Sequence, residues 1–127
     1  MNQITTLSVS AGDPDGIGYD LCALLYEKQL NCQIVIYGDQ EILLSRAKLL
    51  DIKKLQNEKI AIHDVKKSKK IKNNRELVLE SINSAVMSCI QKKSGALITL
   101  PVNKKKLSTP NKLFTGHTEY IAKFFKG

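Results

Sequence analysis

Hydrophobic and polar positions follow two alternating periods along this chain. Four short segments are rich in β-branched residues or have every second residue apolar, which predicts strands, and the segments between them repeat their apolar residues with helical spacing. The predicted strands are residues 4–10, 33–37, 59–65 and 96–99, and the predicted helices are residues 20–29, 40–50, 75–93 and 117–126. Because strand and helix alternate, we expect an α/β fold in which helices cover both faces of a parallel sheet, a three-layer sandwich.

Local signals mark where these elements begin and end. Asp39 and Asn74 are suitable N-caps for the second and third helices, because their short side chains accept hydrogen bonds from the first helical N–H groups. The pair Ser94-Gly95 predicts the end of the third helix. We expect loops over residues 66–72, the densest lysine run, and over most of residues 100–112, which contain two prolines.

The length and composition fit one globular domain. The chain has 127 residues, of which 43% are hydrophobic and 25% are charged, close to the averages for globular proteins. No apolar run approaches the ~18 residues that a membrane-spanning helix needs, and the N-terminus lacks the basic and apolar regions of a signal peptide. We therefore expect a cytoplasmic protein without a membrane partner. The three cysteines are far apart and form no CxxC motif, which favours reduced thiols over a metal site.

The net charge of +8 permits a polyanionic partner. The charge comes almost entirely from lysine, and aromatic residues make up only 6% of the chain. Specific nucleic-acid binding favours arginine and interleaved aromatic residues. We therefore expect no nucleic-acid partner and interpret the lysine run as a solvated loop, with a small non-catalytic basic binding module as an alternative.

Two motifs lie where ligands bind in parallel α/β folds, at the carboxyl ends of strands. The first is the turn Gly12-Asp13-Pro14-Asp15-Gly16-Ile17-Gly18. Its glycines allow a close approach of the backbone to a ligand, but they also suit a tight strand-to-helix turn. The spacing is neither the dinucleotide fingerprint nor a phosphate-binding loop, and Asp13 and Asp15 argue against a bare phosphate. Both interpretations stay open at this point.

The second motif follows the fourth strand and comprises the segments Leu100–Lys104 and Phe114–Glu119. His117 begins a predicted helix, and the positive end of the helix dipole disfavours the imidazolium form. A neutral imidazole and the hydroxyl of Thr118 could both form hydrogen bonds with a substrate. The alternative is that Thr115 or Thr118 caps the helix and that His117 is merely exposed.

Taken together, the segments SAGDPDGIGYDL, IVIYGD, GALITLPVNK and FTGHTEYIA resemble the 4-hydroxythreonine-4-phosphate dehydrogenase family. They occur in family order, each at a predicted strand or helix junction, and the resemblance extends over essentially all 127 residues. The strings GDPxGIG and FTGHTE are its most specific parts. The resemblance implies the fold of the isocitrate and isopropylmalate dehydrogenases, of which this chain would be an incomplete part.

The resemblance also implies an activity in the synthesis of vitamin B6 and pyridoxal phosphate. Enzymes of this family use NAD to oxidise 4-phosphooxy-L-threonine, and the product loses carbon dioxide and leaves an aminoketone phosphate. A divalent metal ion (Zn, Mg or Co) serves as the Lewis acid. The implied partners are therefore a phosphorylated small molecule and, at full length, a second copy in a homodimer.

Residue by residue, the family's substrate-binding pair falls on His117 and Thr118. Family members hold the metal with histidines beyond this segment, so the resemblance implies no metal ligand within these 127 residues. Catalytic and NAD-binding residues stay unassigned. We expect residues 1–127 to be the N-terminal portion of a longer two-domain enzyme, inactive as a dehydrogenase by itself.

Four positions depart from the family pattern. Asp15, Tyr19 and Asp20 stand where Ala, Pro and Glu are usual, and Leu100 stands where glycine is usual. If that glycine has a positive φ, leucine there would cost on the order of 1 kcal/mol or more. Two alternatives from the same resemblance are a dehydrogenase of another phosphorylated four-carbon acid, such as a phosphothreonate or phosphoerythronate, and a regulatory half-protein that binds substrate without catalysis.

Overall fold

The computed structural model describes residues 5–109, 114 and 116–124. Strands and helices alternate along these residues, as the hydrophobic pattern predicts. The elements in chain order are β1 (Thr6–Ser10), α1 (Gly18–Leu25), β2 (Gln33–Gly38), α2 (Gln40–Leu49), β3 (Ile60–Asp64), α3 (Val65–Ser68), α4 (Asn74–Ile90), β4 (Ala96–Thr99), α5 (Lys104–Leu107) and α6 (His117–Ala122).

The described strands form one parallel sheet in the order β3-β2-β1-β4. Val9 lies at its centre, paired with Ile36 on one side and Ile98 on the other. The chain first proceeds outward from β1 through β2 to β3 and then crosses to the opposite side of β1. In such sheets, ligands bind beyond the carboxyl ends of the strands where the order reverses, which here are the ends of β1 and β4.

Helices cover both faces of this sheet, which confirms the expected three-layer α/β arrangement. Successive strand residues point to opposite faces, so each strand contributes to two cores. The core beneath α1 and α2 includes Val9, Tyr19, Cys22, Ala23, Ile34, Ile36, Leu43 and Ala47. The two smaller clusters beneath α4 include Tyr37, Val65, Leu77, Val78, Ile82, Ala85 and Val86.

The ends of α4 differ from the prediction at both termini. Asn73, not Asn74, is the N-cap, and its side-chain oxygen accepts a 2.9 Å hydrogen bond from the N–H of Glu76. The helix ends at Ile90, several residues before the predicted stop at Ser94-Gly95. Lys92 takes the left-handed conformation that usually closes a helix, with φ of 61°. The chain is therefore already turning toward β4 when it reaches Gly95.

The predicted lysine-rich loop is partly helical, which corrects that expectation for residues up to Ser68. Asp64 caps the short helix α3 by accepting a hydrogen bond from the N–H of Lys66. Two lysines of the run have specific partners: Lys66 lies 2.7 Å from the buried carboxylate of Asp39, and Lys69 lies 3.3 Å from Glu80. Part of the lysine charge therefore balances acidic groups of this domain.

One face of β4 is open. β4 lies at the edge of the sheet formed by the described strands, and the side chain of Ile98 is 41% exposed. At the start of α1 and along it, exposed apolar residues recur with helical spacing at the N-cap Ile17 and at Leu21 and Leu24. Across the described ranges, no helix has both the length and the apolar character required to cross a membrane.

Candidate substrate-binding site

The fold brings the two sequence motifs together at the carboxyl ends of β1 and β4. The N–H of Leu100 donates to the carbonyl of Ser10 at 3.0 Å, which extends the pairing of these strands into the loops. One step further, the N–H of Asp13 donates to the carbonyl of Pro101 at 3.0 Å. The glycine-rich turn after β1 and the loop after β4 are therefore directly hydrogen-bonded neighbours.

Protein packing accounts for two glycines of the turn. Gly12 has φ of +85°, and a Cβ atom there would lie 2.5 Å from the carbonyl oxygen of Pro101. A Cβ on Gly18 would lie 1.9 Å from the carbonyl oxygen of Ala11. Both distances are too short for any side chain, because the obstacles are backbone atoms. The geometry supports the tight-turn interpretation over the ligand-approach interpretation.

The two aspartates of this turn are also occupied by contacts within the protein. A side-chain oxygen of Asp13 accepts a hydrogen bond from the N–H of Asp15 at 2.9 Å. The ammonium group of Lys106 lies 2.8 Å from Asp15 and 3.8 Å from Asp13. The hydrogen bond that Lys106 donates to Asp15, with further attraction from Asp13, raises the pKa of Lys106. These contacts join the turn to α5.

A cavity of about 600 Å³ lies beyond the end of β4. Its walls come from the end of β4, the loop that follows, α5 and the start of α6. The lining residues are Thr99, Pro101, Val102, Lys104, Gly116, His117, Thr118 and Glu119. Both residues predicted to bind substrate, His117 and Thr118, therefore line one cavity, and they face it together with residues of the other half of the second motif.

His117 is half-buried beside the ring of Phe114, with the ring centroids 6.3 Å apart in an edge-on arrangement. Its Nε2 atom is shielded from solvent and has no hydrogen-bond partner among the described residues. Burial lowers the pKa of His117, and the nearby positive charge of Lys104 lowers it further. The imidazole is therefore neutral at neutral pH, as expected. Burial and the neighbouring charge both favour the neutral form, which is the same direction as the helix-dipole effect expected from the sequence.

The start of α6 differs from the capping alternative. Gly116 is the N-cap, with φ of 135° and no side chain to accept a hydrogen bond, so Thr118 does not cap this helix. Thr115, the other candidate cap, lies outside the described residues. Thr118 is exposed within the first turn of the helix, where it lines the cavity.

Sequence reasoning did not assign Thr99 and Lys104 as site residues. Asn103 caps α5, the short helix that contains Lys104, by accepting hydrogen bonds from the N–H groups of Lys105 and Lys106. The Nζ atom of Lys104 lies 3.9 Å from the position that a Cβ atom on Gly116 would take. Lys104 therefore approaches the residue that directly precedes His117. The segment Leu100–Lys104 already indicated this loop as part of a site. That Lys104 lies beside His117 depends on the tertiary fold, because the two residues are thirteen positions apart in the chain.

Leu100 does not have the strained, left-handed backbone conformation. In the described ranges, the non-glycine residues with positive φ are Asp51 and Lys92, so Leu100 has ordinary backbone geometry. Its side chain is partly buried and packs against the core beneath α1. The conditional cost of a left-handed leucine therefore does not apply.

Two of the other residues that depart from the family pattern, Tyr19 and Asp20, help to pack α1 against its neighbours. The hydroxyl of the fully buried Tyr19 accepts a 3.0 Å hydrogen bond from the N–H of Asp39. Asp20 binds Arg46 of α2 through two hydrogen bonds of 2.6 and 2.9 Å, and this bonding lowers the pKa of Asp20. These side chains connect α1 to the start and the middle of α2.

The described residues do not assemble a metal site. Among residues 5–109, 114 and 116–124, no group of three or more histidine, cysteine, aspartate or glutamate side chains is placed to hold an ion. The three cysteines are free thiols, of which Cys22 is buried and the others are partly buried. What the cavity residues offer a substrate is hydrogen bonds and charge.

Comparison with known proteins identifies the family. The sequence model of a family described as "Pyridoxal phosphate biosynthetic protein PdxA" matches residues 30–127. The chain belongs to the PdxA family. Relatives include the 4-hydroxythreonine-4-phosphate dehydrogenases of Wigglesworthia glossinidia brevipalpis and Methylococcus capsulatus, each 32% identical to this chain. The alignments cover 98% and 91% of this chain but 43% and 41% of those proteins.

Solved structures show the same fold. A 4-hydroxythreonine-4-phosphate dehydrogenase from Burkholderia phymatum superposes with a TM-score of 0.79 at 18% identity, over 96% of this chain and 44% of that one. A putative enzyme of the same name from Salmonella typhimurium superposes with a TM-score of 0.64 at 20% identity, over 94% of this chain and 44% of that one. This PdxA-family chain thus spans less than half the length of the proteins that it matches.

Proposed function

We propose that this chain supplies a substrate-binding wall of an NAD-dependent dehydrogenase that oxidises and decarboxylates 4-phosphooxy-L-threonine in pyridoxal phosphate biosynthesis. The observation that carries the proposal is the cavity beyond β4, where His117 and Thr118 lie side by side. Membership of the PdxA family and the names of the relatives support the reaction.

The chemistry of the two side chains suits a polar substrate. A neutral imidazole has one nitrogen that donates and one that accepts a hydrogen bond. The Nε2 atom of His117 is shielded from solvent and has no partner among the described residues, and an unpaired buried nitrogen costs free energy. A substrate hydroxyl or ammonium group that meets Nε2 after a small rotation of the ring toward the cavity would relieve that cost. The Thr118 hydroxyl adds a group that both donates and accepts. The role of this chain is therefore to bind and orient the substrate.

We further propose that residues 1–127 act as the N-terminal portion of a longer two-domain enzyme. The support is that the chain covers 41–43% of the curated relatives above and 44% of the solved structures. The open face of β4, where Ile98 is 41% exposed, fits a surface that further chain would cover. The purified 127-residue chain should then produce no NADH from substrate, NAD and a divalent metal ion, and metal-dependent NADH production by the pure chain would contradict this.

Binding of 4-phosphooxy-L-threonine tests the site directly. Isothermal titration calorimetry would compare the wild type with His117→Ala and with His63→Ala, the matched control. His63 is the other histidine of the chain, and it lies exposed on β3 beside the ring of Tyr37. A net hydrogen bond of ~1 kcal/mol corresponds to roughly fivefold weaker binding for His117→Ala, and His63→Ala should bind as the wild type does.

Equal affinities for His117→Ala and the wild type would refute the proposed site. The same titration with the corresponding phosphorylated hydroxy acid, which lacks the amino group, addresses the alternative substrate class. Tighter binding of that acid than of 4-phosphooxy-L-threonine would favour a dehydrogenase of another phosphorylated four-carbon acid.

A further inference from the structure

Three consecutive lysines form most of α5, and they have three different environments. Lys106 points toward the glycine-rich turn, where its ammonium group pairs with Asp15 and Asp13. Lys104 lines the cavity that contains His117. Lys105 does neither: it does not line this cavity, and it forms no ion pair with the described residues.

The charge of Lys104 is directed at the cavity. Among the described residues it has no ion-pair partner. Its side chain passes 3.7 Å from the position that a Cβ atom on Gly116 would take, next to the imidazole. Its charge also acts on the neighbouring ring, since it contributes to the lowered pKa of His117. Lys104 is therefore the cation placed beside the two proposed substrate-binding residues.

Resting on the proposed function, we propose that Lys104 binds the oxyanion of the substrate, either its phosphate or its carboxylate, against the wall formed by His117 and Thr118. An ammonium group donates strong, charge-assisted hydrogen bonds to such oxygens without requiring a fixed orientation. The neutral imidazole and the hydroxyl then contact the uncharged polar part of the same molecule. The cavity also contains Glu119, on the helix turn that carries His117.

Two variants with the same change of charge distinguish a specific contact of Lys104 with the substrate from a general effect of positive charge on binding. Lys104→Met and Lys105→Met each remove one positive charge from the same short helix, but only the first removes it from the cavity. Hydrogen bonds to charged groups contribute more than neutral ones, so Lys104→Met should bind 4-phosphooxy-L-threonine roughly tenfold more weakly or worse. Lys105→Met should bind as the wild type does, and Lys104→Arg should retain most of the affinity.

Nuclear magnetic resonance of the His117 ring gives a readout that does not depend on catalysis. Lys104→Met should raise the pKa of His117, because the neighbouring positive charge is gone, and Lys105→Met should leave it unchanged. An anion bound at Lys104 in the wild type should also raise the pKa of His117. Inorganic phosphate and L-threonine, titrated separately, distinguish the two possible oxyanions. If Lys104→Met weakens the binding of inorganic phosphate, Lys104 binds the phosphate group, and if it weakens the binding of L-threonine, Lys104 binds the carboxylate.

Equal binding by Lys104→Met, Lys105→Met and the wild type would overturn the assignment of Lys104. If His117→Ala is impaired at the same time, the proposed function stands and only Lys104 is excluded. If Lys104→Met is impaired and His117→Ala is normal, Lys104 is supported and the substrate-binding role of His117 fails. A wild type whose His117 signals respond to none of the three probes overturns the oxyanion site.

Discussion

The buried hydroxyl of Tyr19 offers a test of how α1 is joined to the start of α2. Tyr19 is fully buried, and its hydroxyl accepts the N–H of Asp39, the N-cap of α2, at 3.0 Å. Burial raises the pKa of Tyr19 far above its usual range, so the hydroxyl is protonated throughout the accessible pH range. Tyr19→Phe removes this acceptor and keeps the aromatic ring.

The expected cost follows from what remains in the variant. The N–H of Asp39 stays in a buried environment, since Asp39 is 1% exposed, and phenylalanine offers it no acceptor. A buried polar group that loses its partner costs about 1–3 kcal/mol. Tyr19→Phe should therefore lower the free energy of unfolding by about 1–3 kcal/mol, which for a chain of this size corresponds to roughly 3–6 °C in Tm for each kcal/mol.

Urea unfolding followed by circular dichroism gives the free energy by linear extrapolation. Tyr26→Phe is the matched control, because Tyr26 follows α1 in the same core and is 8% exposed. In the described part of the chain, the Tyr26 hydroxyl has no hydrogen-bond partner, so this variant should change stability by less than about 0.5 kcal/mol. Equal losses in the two variants, or no loss for Tyr19→Phe, would refute the reasoning.

Three further predictions concern the backbone and the thiols. Gly18→Ala should lower the free energy of unfolding by more than about 3 kcal/mol, because its Cβ would lie 1.9 Å from a backbone oxygen. The control Gly16→Ala should fold normally, because a Cβ on Gly16 meets no atom closer than 3.4 Å. Equal stability of the two variants in urea unfolding would contradict the packing argument. Lys92→Gly should raise stability by about 1 kcal/mol in the same assay, because glycine takes the left-handed conformation without strain, and a loss would contradict the φ of 61°. Burial raises the pKa of Cys22 to about 12, so mass spectrometry should find it unlabelled by a thiol reagent at pH 8 until the chain unfolds; rapid labelling of Cys22 in the folded chain would be inconsistent with this burial.

The sequence by itself determined the order and type of the main elements. Their hydrophobic periods are local properties, readable wherever one face of a segment must be buried. The cap at Asp39 is also a local feature. Its short acidic side chain comes directly before the helix and accepts a hydrogen bond from one of the first helical N–H groups. The two motifs at strand ends were recognisable for the same reason, since each is a contiguous run of residues.

Only the tertiary structure decided which of several locally equivalent residues has each role. Asn73 and Asn74 have the same capping chemistry, and in the folded chain Asn73 is the one that caps α4. Lys104, Lys105 and Lys106 are three exposed lysines in a row, yet Lys104 lines the cavity, Lys106 pairs with the glycine-rich turn and Lys105 does neither. These differences arise from contacts between segments far apart in the chain, which no local period or spacing encodes.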